Sequence, residues 1–187
     1  MIGKIKKNKG FSLVEMLVVA LILSLVIGVA TGFFASTVKV QRYNLEHQKI
    51  FNQTTFAVEY IGRAIKMAQR NSDSSQELTC LEVGENYRLI NQSRIRFINS
   101  DGDCQEIFRR IVNGNGVISY TINDGSPIDI TSRELNVYSL VFNITGESSS
   151  DQLQPRVTYI INTTLSNMMT SKRLEAHTTI SQRRIDI

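Results

Sequence analysis

The chain of 187 residues is long enough for one domain with a modest hydrophobic core. Its net charge of +4 comes from four lysines within residues 1–10, a stretch that contains no acidic residue; without them, 17 basic residues stand against 17 acidic ones. The charge of the remaining chain therefore gives no reason to expect a nucleic-acid partner. Two cysteines and two histidines are too few to predict a zinc site, and no other metal or cofactor is predicted.

An apolar run follows the basic segment, from Phe11 to Phe34, and only small residues, hydroxyl residues and Glu15 interrupt it. A run of about 20 residues is enough to span a bilayer as a helix. The lysines before the run place residues 1–10 in the cytoplasm, and everything after residue 34 outside it. A carboxylate costs roughly 2.5–3.5 kcal/mol at the centre of a membrane helix, so Glu15 is predicted to have a functional partner.

The segment from Gly10 to Glu15 (Gly-Phe-Ser-Leu-Val-Glu) resembles the cleavage and methylation segment of type IV prepilins and type II secretion pseudopilins. The resemblance implies that a prepilin peptidase cuts between Gly10 and Phe11 and methylates the new Phe11 amine. It implies that Glu15 pairs with the N-terminal amine of a neighbouring subunit in a filament. The implied partners are other pilin or pseudopilin subunits, an inner-membrane assembly platform and membrane lipid, and the implied protein is not an enzyme.

Two other interpretations of the N-terminus were weighed. The first is an ordinary secretory signal with its cut near residues 28–30, although the apolar run is longer than the usual 7–15 residues and would contain Glu15. The second is a plain membrane anchor, which leaves Glu15 unexplained. Either would make the protein a membrane-anchored or secreted extracellular domain that binds or hydrolyses a ligand.

A single long helix is predicted from Phe11 to about Gln69, because this stretch contains no proline and its second half has an apolar stripe at steps of three and four. Gly28, Gly32 and Gly62 are predicted weak points of this helix, at about 1 kcal/mol each relative to alanine. The stripe consists of Tyr43, His47, Ile50, Thr54, Ala57, Ile61, Ala64 and Ala68. A polar cluster at residues 71–75 ends the helix.

Short runs separated by turn residues follow the helix, and these predict β-strands. In residues 135–144, strict alternation is predicted to place Leu135, Val137, Ser139 and Val141 on one face of the strand and the intervening apolar side chains on the other. The predicted strands are 78–83, 95–98, 105–112, 117–122, 128–130, 135–144, 156–165 and 174–185.

One helix followed by a series of strands predicts an α+β, pilin-like fold in which the helix packs on an antiparallel sheet. The predicted divisions are a cleaved leader (1–10), a transmembrane and assembly helix (11–34), an amphipathic helix (35–70) and an extracytoplasmic β-rich domain (71–187).

Cys80 and Cys104 both lie beyond the apolar run, in a compartment that permits a disulfide. A bridge would close a loop of about 25 residues and would contribute roughly 3.5 kcal/mol on the chain-entropy model. Two buried free thiols are the alternative. Between the cysteines, Asn99, Asp101 and Asp103 have the spacing that opens an EF-hand loop, but Arg110 stands where the closing glutamate belongs, which favours a polar hairpin turn over a calcium site.

A second, looser resemblance extends beyond the N-terminus. Residues 56–68 are similar to the helix end of W-type minor pilins and J-type minor pseudopilins, and residues 94–97 and 107–110 are similar to their paired strands. This resemblance implies a minor subunit that acts in filament initiation or at the tip. A pilus, a secretion system and a DNA-uptake system all remain open.

Overall fold

A computed structural model describes residues 10–72, 80–147, 154–165 and 173–182 of the chain. The chain divides into two compact units, with the boundary between Leu45 and Glu46. Helix α1 spans Leu13–Lys66 and contributes to both units. The boundaries predicted at residues 34 and 70 mark the end of the membrane-spanning stretch and the start of the β-rich domain. Both remain predictions.

The N-terminal unit consists of α1 from Leu13 to Leu45 and the residues before it, and almost all of its described side chains are exposed. Its apolar stretch is long and hydrophobic enough to cross a membrane, with a mean hydropathy of 2.8. The hydroxyls within the stretch bond back to the helix: Ser24 Oγ donates to the Ala20 carbonyl at 2.7 Å, and Thr31 Oγ1 to the Ile27 carbonyl at 2.9 Å. Such bonds satisfy polar groups that lipid could not.

In the C-terminal unit, α1 buries four members of the stripe that the periodicity predicted, whereas His47 and Ala64 of that stripe are half-buried. Ile50, Thr54, Ala57 and Ile61 are buried, as are Gly62 and Ile65. The helix ends at Lys66 rather than near residue 69. Beyond it, the Gln69 amide donates to the Ile98 carbonyl at 2.9 Å in an isolated β-bridge, so the main chain leaves helical geometry to pair with a strand.

In the described part of the chain, eight strands follow, and they form two antiparallel sheets where a single sheet was predicted. Sheet A has the order β1-β2-β3-β4-β5, and sheet B has the order β6-β7-β8. The α+β architecture, with one long helix packed on antiparallel sheets, is confirmed. The strands are β1 Tyr87–Asn91, β2 Arg94–Ile98, β3 Cys104–Val112, β4 Asn115–Ile122, β5 Ile128–Asp129, β6 Leu135–Thr145, β7 Arg156–Leu165 and β8 Leu174–Ser181.

One hydrophobic core lies between the helix and both sheets. Two tyrosines tie the helix to the sheets by their hydroxyls: Tyr87 donates to the Ile65 carbonyl at 2.8 Å, and Tyr159 donates to the Val58 carbonyl at 2.7 Å. Burial raises the pKa of Tyr159 to about 12, so this hydroxyl stays protonated and donates throughout the physiological range.

The alternation predicted for β6 is wrong beyond Val137. Leu135 and Val137 are both buried and share a face as predicted, but the next buried side chains are Leu140 and Phe142, which were predicted on the opposite face. The pairing with β7 shifts between Val137 and Ser139, so Tyr138 is an extra residue without a partner. A bulge of this kind exchanges the two faces of a strand, and no local sequence period records it.

Three other strand predictions need correction. The strand expected at 78–83 is absent from its described part, residues 80–83, where the Leu81 carbonyl accepts a hydrogen bond from the Asn71 side chain at 2.8 Å instead of joining a ladder. Strand β1 was not predicted. The last strand ends at Ser181 instead of 185, and residues 183–187 lie outside the described part of the chain.

The two sheets meet where β4 approaches the bulge of β6. Gly116 is the contact residue on β4: a Cβ atom built on it would lie 2.1 Å from the Val137 carbonyl oxygen. The Gly116 amide donates to Asn136 Oδ1 at 2.9 Å, and Arg109 Nε donates to the Val137 carbonyl at 2.6 Å. A side chain cannot be placed at Gly116 without moving the main chain of one strand.

Candidate functional site

The segment that carries the predicted processing site lies at the exposed start of α1. Gly10 and Phe11 precede the helix, and a Cβ atom built on Gly10 would meet nothing within 4 Å. Phe11 is 75% exposed. The helix begins where the Ser12 carbonyl accepts hydrogen bonds from the amides of Glu15 at 3.1 Å and Met16 at 3.2 Å. The described residues on either side of the Gly10–Phe11 peptide are therefore exposed and outside the helix, and residues 1–9 lie outside the described part of the chain.

Glu15 lies in the first turn of α1 and is exposed, among apolar side chains that are exposed as well. Within the described residues it makes no ion pair. A carboxylate in a first turn interacts favourably with the helix dipole, by about 0.3–1 kcal/mol at an exposed site. That interaction is small beside the cost of a charge in lipid, so the helix dipole by itself does not offset the cost of this carboxylate in a membrane.

Cys80 and Cys104 are joined as a disulfide, with a Cα–Cα distance of 5.5 Å. Cys80 is buried, and it forms a small second cluster with Leu81 and Ile98. The bridge connects the segment after α1 to the start of β3.

Because the two cysteines are bridged, the intact mass should be lower than that of the reduced chain by two hydrogen atoms, and native protein should take up no alkylating reagent. Cys104→Ser should lower the free energy of unfolding by about 2–4 kcal/mol, since the closed loop no longer restricts the unfolded chain. Two alkylatable thiols in the native extracytoplasmic protein would contradict this prediction.

The loop at 99–103 is a polar hairpin turn between β2 and β3. Asn99 Oδ1 accepts from the amides of Asp101 and Asp103, both at 2.9 Å, and Gly102 has a φ of 89°. The Asp103 carboxylate accepts from the Asn123 side chain at 2.8 Å. Within the described residues, no group of three or more His, Cys, Asp or Glu side chains is placed to hold a metal ion. The spacing of Asn99 and Asp103 is therefore explained by the hydrogen bonds that these two side chains make within and beside the turn.

Sequence reasoning missed two charged clusters on sheet A. Glu106 is buried and accepts hydrogen bonds from Arg96 Nε at 2.6 Å and Arg94 at 3.1 Å. Asp129 accepts from Arg110 at 2.6 Å and from Ser119 at 2.7 Å. Burial by itself would raise the pKa of Asp129, but these hydrogen bonds outweigh it and hold that pKa below its usual value. The pairing of Arg96 with Glu106 could not be predicted from the sequence, because it depends on the register between β2 and β3.

A cavity of about 420 Å³ lies beside the helix in the C-terminal unit. Its lining combines side chains of α1 with Met67, with Ser100 of the 99–103 turn and with Gln105 of β3, and the ring of Tyr60 in this lining lies 5.5 Å from the ring of Tyr120. Burial, with the neighbouring Tyr120 hydroxyl, raises the pKa of Tyr60 to about 12, so it is no general base at neutral pH. The lining residues are Phe56, Glu59, Tyr60, Arg63, Ala64, Met67, Ser100 and Gln105.

Comparison with protein families gives a match at the N-terminus. Residues 5–31 match the model described as the prokaryotic N-terminal methylation motif, a range that contains Gly10, Phe11 and Glu15. No curated protein and no solved structure matched the chain. The motif implies processing by prepilin peptidase and assembly with other pilin subunits, which in this family are structural rather than enzymatic. The chain thus carries the N-terminal methylation motif of prokaryotes at the start of a single long helix, consistent with the type IV prepilin and pseudopilin family.

Proposed function

We propose that this protein is a minor pilin or pseudopilin, which assembles through α1 into a type IV pilus or a type II secretion-like filament. One observation carries the proposal: Glu15 lies in the first turn of an exposed apolar helix, directly after the accessible Gly10–Phe11 peptide. In this proposal the peptidase cuts between Gly10 and Phe11 and methylates Phe11. The leader is cytoplasmic and the β-rich unit is extracytoplasmic, as the basic leader favours.

The pairing proposed for Glu15 follows from the cost of isolated charges at a membrane. Cleavage leaves the Phe11 amine as a cation near the start of the helix, and Glu15 is an anion one helical turn further along. Each charge is expensive in lipid by itself, and a pair between neighbouring subunits offsets part of both penalties. The remaining contact between subunits comes from packing between the apolar stretches of neighbouring helices. The apolar side chains of this stretch are exposed in the single chain and are therefore available for such packing.

The minor role, in initiation or at the tip, is supported by the looser likeness in the C-terminal unit. Residues 56–68 include Ala57, Ile61 and Ile65, which are all fully buried, and the two similar strand segments lie in the paired strands β2 and β3. The likeness therefore includes core residues of this unit. The partners in this proposal are prepilin peptidase, other filament subunits, an inner-membrane assembly platform and membrane lipid.

Processing is the first test. The mature protein should begin at Phe11 and should carry one additional methyl group, as measured by intact mass and N-terminal peptide sequencing. Gly10→Leu should leave uncleaved precursor in the membrane, because a side chain would be introduced at a peptide that the protease must approach closely. Gly32→Leu is the matched control, since it changes an exposed glycine further along α1 and should be processed normally. A mature start near residue 31 would refute the proposal.

The minor role is tested in a strain that lacks this chain. Fewer filaments per cell, of ordinary length, are expected if the subunit initiates assembly, and expression of the wild-type chain should restore their number. The chain itself should be present in sheared filaments at far fewer copies than the main subunit. A filament composed mainly of this chain, or a filament number that does not change, would contradict the minor role.

A further inference from the structure

The cavity beside α1 lies between two parts of the C-terminal unit that are distant in the sequence. One wall is a face of α1 from Phe56 to Ala64, about 12 Å along the helix axis, with Met67 just beyond the helix end. The other wall is formed by Ser100 and by Gln105. All of the lining residues belong to the described part of the chain, and the volume of about 420 Å³ lies within the range of small-molecule sites, about 300–1,000 Å³.

The wall opposite the helix is fixed from two directions. The disulfide between Cys80 and Cys104 holds the residue directly before Gln105. The Gln69 side-chain amide donates to the Ser100 carbonyl at 2.8 Å, and so ties the 99–103 turn to the segment that follows α1. Because the other wall is a regular helix, both walls are in place before a ligand arrives. Binding in this cavity therefore requires little ordering of the chain.

Two polar side chains of the lining lie next to each other, one from each wall. Gln105 is only 5% exposed, and its Nε2 atom lies 3.5 Å from the Tyr60 hydroxyl, at the long limit for a hydrogen bond. Within the described residues, this weak contact is the one hydrogen bond of the Gln105 side chain. The pKa of Tyr60, raised to about 12, keeps its hydroxyl protonated and able to donate. A purely apolar ligand would leave the buried amide without adequate hydrogen bonds.

Two opposite charges lie on the exposed side of the same cavity. Glu59 and Arg63 are one helical turn apart, both are exposed, and neither makes an ion pair with another residue in the described part of the chain. Because the two charges cancel, an anionic ligand would meet a like charge at Glu59 and a cationic ligand would meet one at Arg63. A carboxylate accepts hydrogen bonds and a guanidinium donates them, so together they suit groups that do both.

The rest of the lining is apolar and includes an exposed aromatic ring. Phe56 is 57% exposed, and its ring lies 6.5 Å from the ring of Tyr60. A sugar ring matches this combination of surfaces. The C–H groups on one of its faces pack against an aromatic side chain, and each hydroxyl at its edge both donates and accepts a hydrogen bond.

We propose that this cavity binds a neutral saccharide of one or two rings. One ring packs against Phe56, its hydroxyls bond to Gln105 and Tyr60, and further hydroxyls bond to Glu59 and Arg63 at the exposed side. The site goes beyond the proposed function and does not depend on it, because all of its groups belong to the C-terminal unit of a single chain.

Saturation-transfer NMR tests the site with four neutral disaccharides: maltose, cellobiose, lactose and diacetylchitobiose. The whole chain is kept in a polyoxyethylene detergent, because the head group of that detergent contains no sugar ring. At least one of the four should receive saturation from the protein. It should bind at least tenfold more tightly than chitobiose, which is cationic, cellobiuronic acid, which is anionic, and free phenylalanine, which is a zwitterion. No transfer to any of the four, or a smaller preference over the charged probes, would overturn the proposal.

Two phenylalanines of α1 provide a matched pair of variants. Phe56 and Phe51 are exposed to a similar degree, 57% and 60%, but only Phe56 lines this cavity. Phe56→Ala should weaken binding of the preferred disaccharide at least fivefold, whereas Phe51→Ala should change it less than twofold. Equal effects of the two substitutions would show that the sugar binds elsewhere.

Gln105→Leu separates hydrogen bonding from shape. Leucine is close to glutamine in size and suits a buried position, so the melting temperature should not fall. Binding should weaken at least tenfold, because a sugar hydroxyl is left without its partner. If Gln105→Leu does not fold, Tyr60→Phe removes a single hydroxyl and should weaken binding at least threefold. Wild-type affinity in a folded variant of either kind would rule out this cavity as the site.

Discussion

Glu15→Ala should leave cleavage and methylation at Phe11 intact while reducing the filament-associated fraction of the chain at least tenfold. Cleavage depends on Gly10 and the leader, and the monomer should insert more readily without a desolvated charge. Assembly should fail because the neighbour's amine is left unpaired, and loss of one partner of a desolvated pair costs about 3–5 kcal/mol. The measurement is the ratio of filament to membrane-pool subunit at equal expression, together with the number of filaments per cell.

The matched control separates pairing from helix stability. Because Glu15 lies in the first turn of α1, its loss also removes a favourable interaction with the helix dipole. The double variant Glu15→Gln with Met16→Glu keeps one acid in that turn, but rotates it about 100° around the helix. It should assemble as poorly as Glu15→Ala. Restored incorporation would show that Glu15 serves the helix and not the neighbouring subunit.

A filament's first subunit has no subunit ahead of it to engage. If this chain initiates assembly, Glu15→Ala should appear as fewer filaments rather than as fewer copies of the chain in each. Counting filaments and measuring the subunit ratio in the same cells separates an initiator from a subunit along the shaft.

Gly116→Ala should be the most damaging single-methyl change in the C-terminal unit. The new Cβ would lie 2.1 Å from the Val137 carbonyl oxygen and 2.8 Å from the Arg109 guanidinium, and a carbonyl fixed in a strand cannot move aside as a side chain can. We expect the free energy of unfolding to fall by about 3 kcal/mol or more, and the melting temperature to fall by about 10 °C. Near-UV circular dichroism of the tyrosines in detergent solution would follow the transition.

Two comparisons test the cause of that loss. Gly102→Ala places the same methyl group in open space, where only the left-handed backbone opposes it, and should cost about 1 kcal/mol. Arg109→Ala combined with Gly116→Ala should not recover stability, because the carbonyl contact remains. Recovery in the double variant would show that the guanidinium, and not the carbonyl, is the obstacle.

The helix and the N-terminal motif were predictable because both are local. A long stretch without proline and a stripe at steps of three and four gave a helix that was correct to within three residues at each end, and its buried stripe includes Ile50, Ala57 and Ile61. Gly62 was predicted as a weak point, but its missing side chain makes room for Ile180, at the distant end of the chain. Helix propensity is a property of the single residue type, so it contains no information about a contact with a distant side chain.

The strands were less predictable where their structure depends on contacts with residues that are distant in the sequence. Tyr87–Asn91 was missed because only its first residue is fully buried, so it has no apolar alternation to detect. Residues 80–83 contain apolar side chains that suggested a strand, yet Cys80 and Leu81 are buried around a disulfide. The division into two sheets was not predictable from alternation, because it depends on where β6 turns to meet β1 and β4.

The unpaired Tyr138 gives β6 eleven residues against ten in β7. In genetic terms, this makes the strand tolerant of one deletion and of few others. Loss of the codon for Tyr138 or Ser139 would leave Leu135, Val137, Leu140 and Phe142 in simple alternation on one face, whereas loss of the codon for Leu140 or Val141 would turn buried side chains outward. Related sequences aligned across this strand should therefore differ in length by one codon, at one of these first two positions before any other.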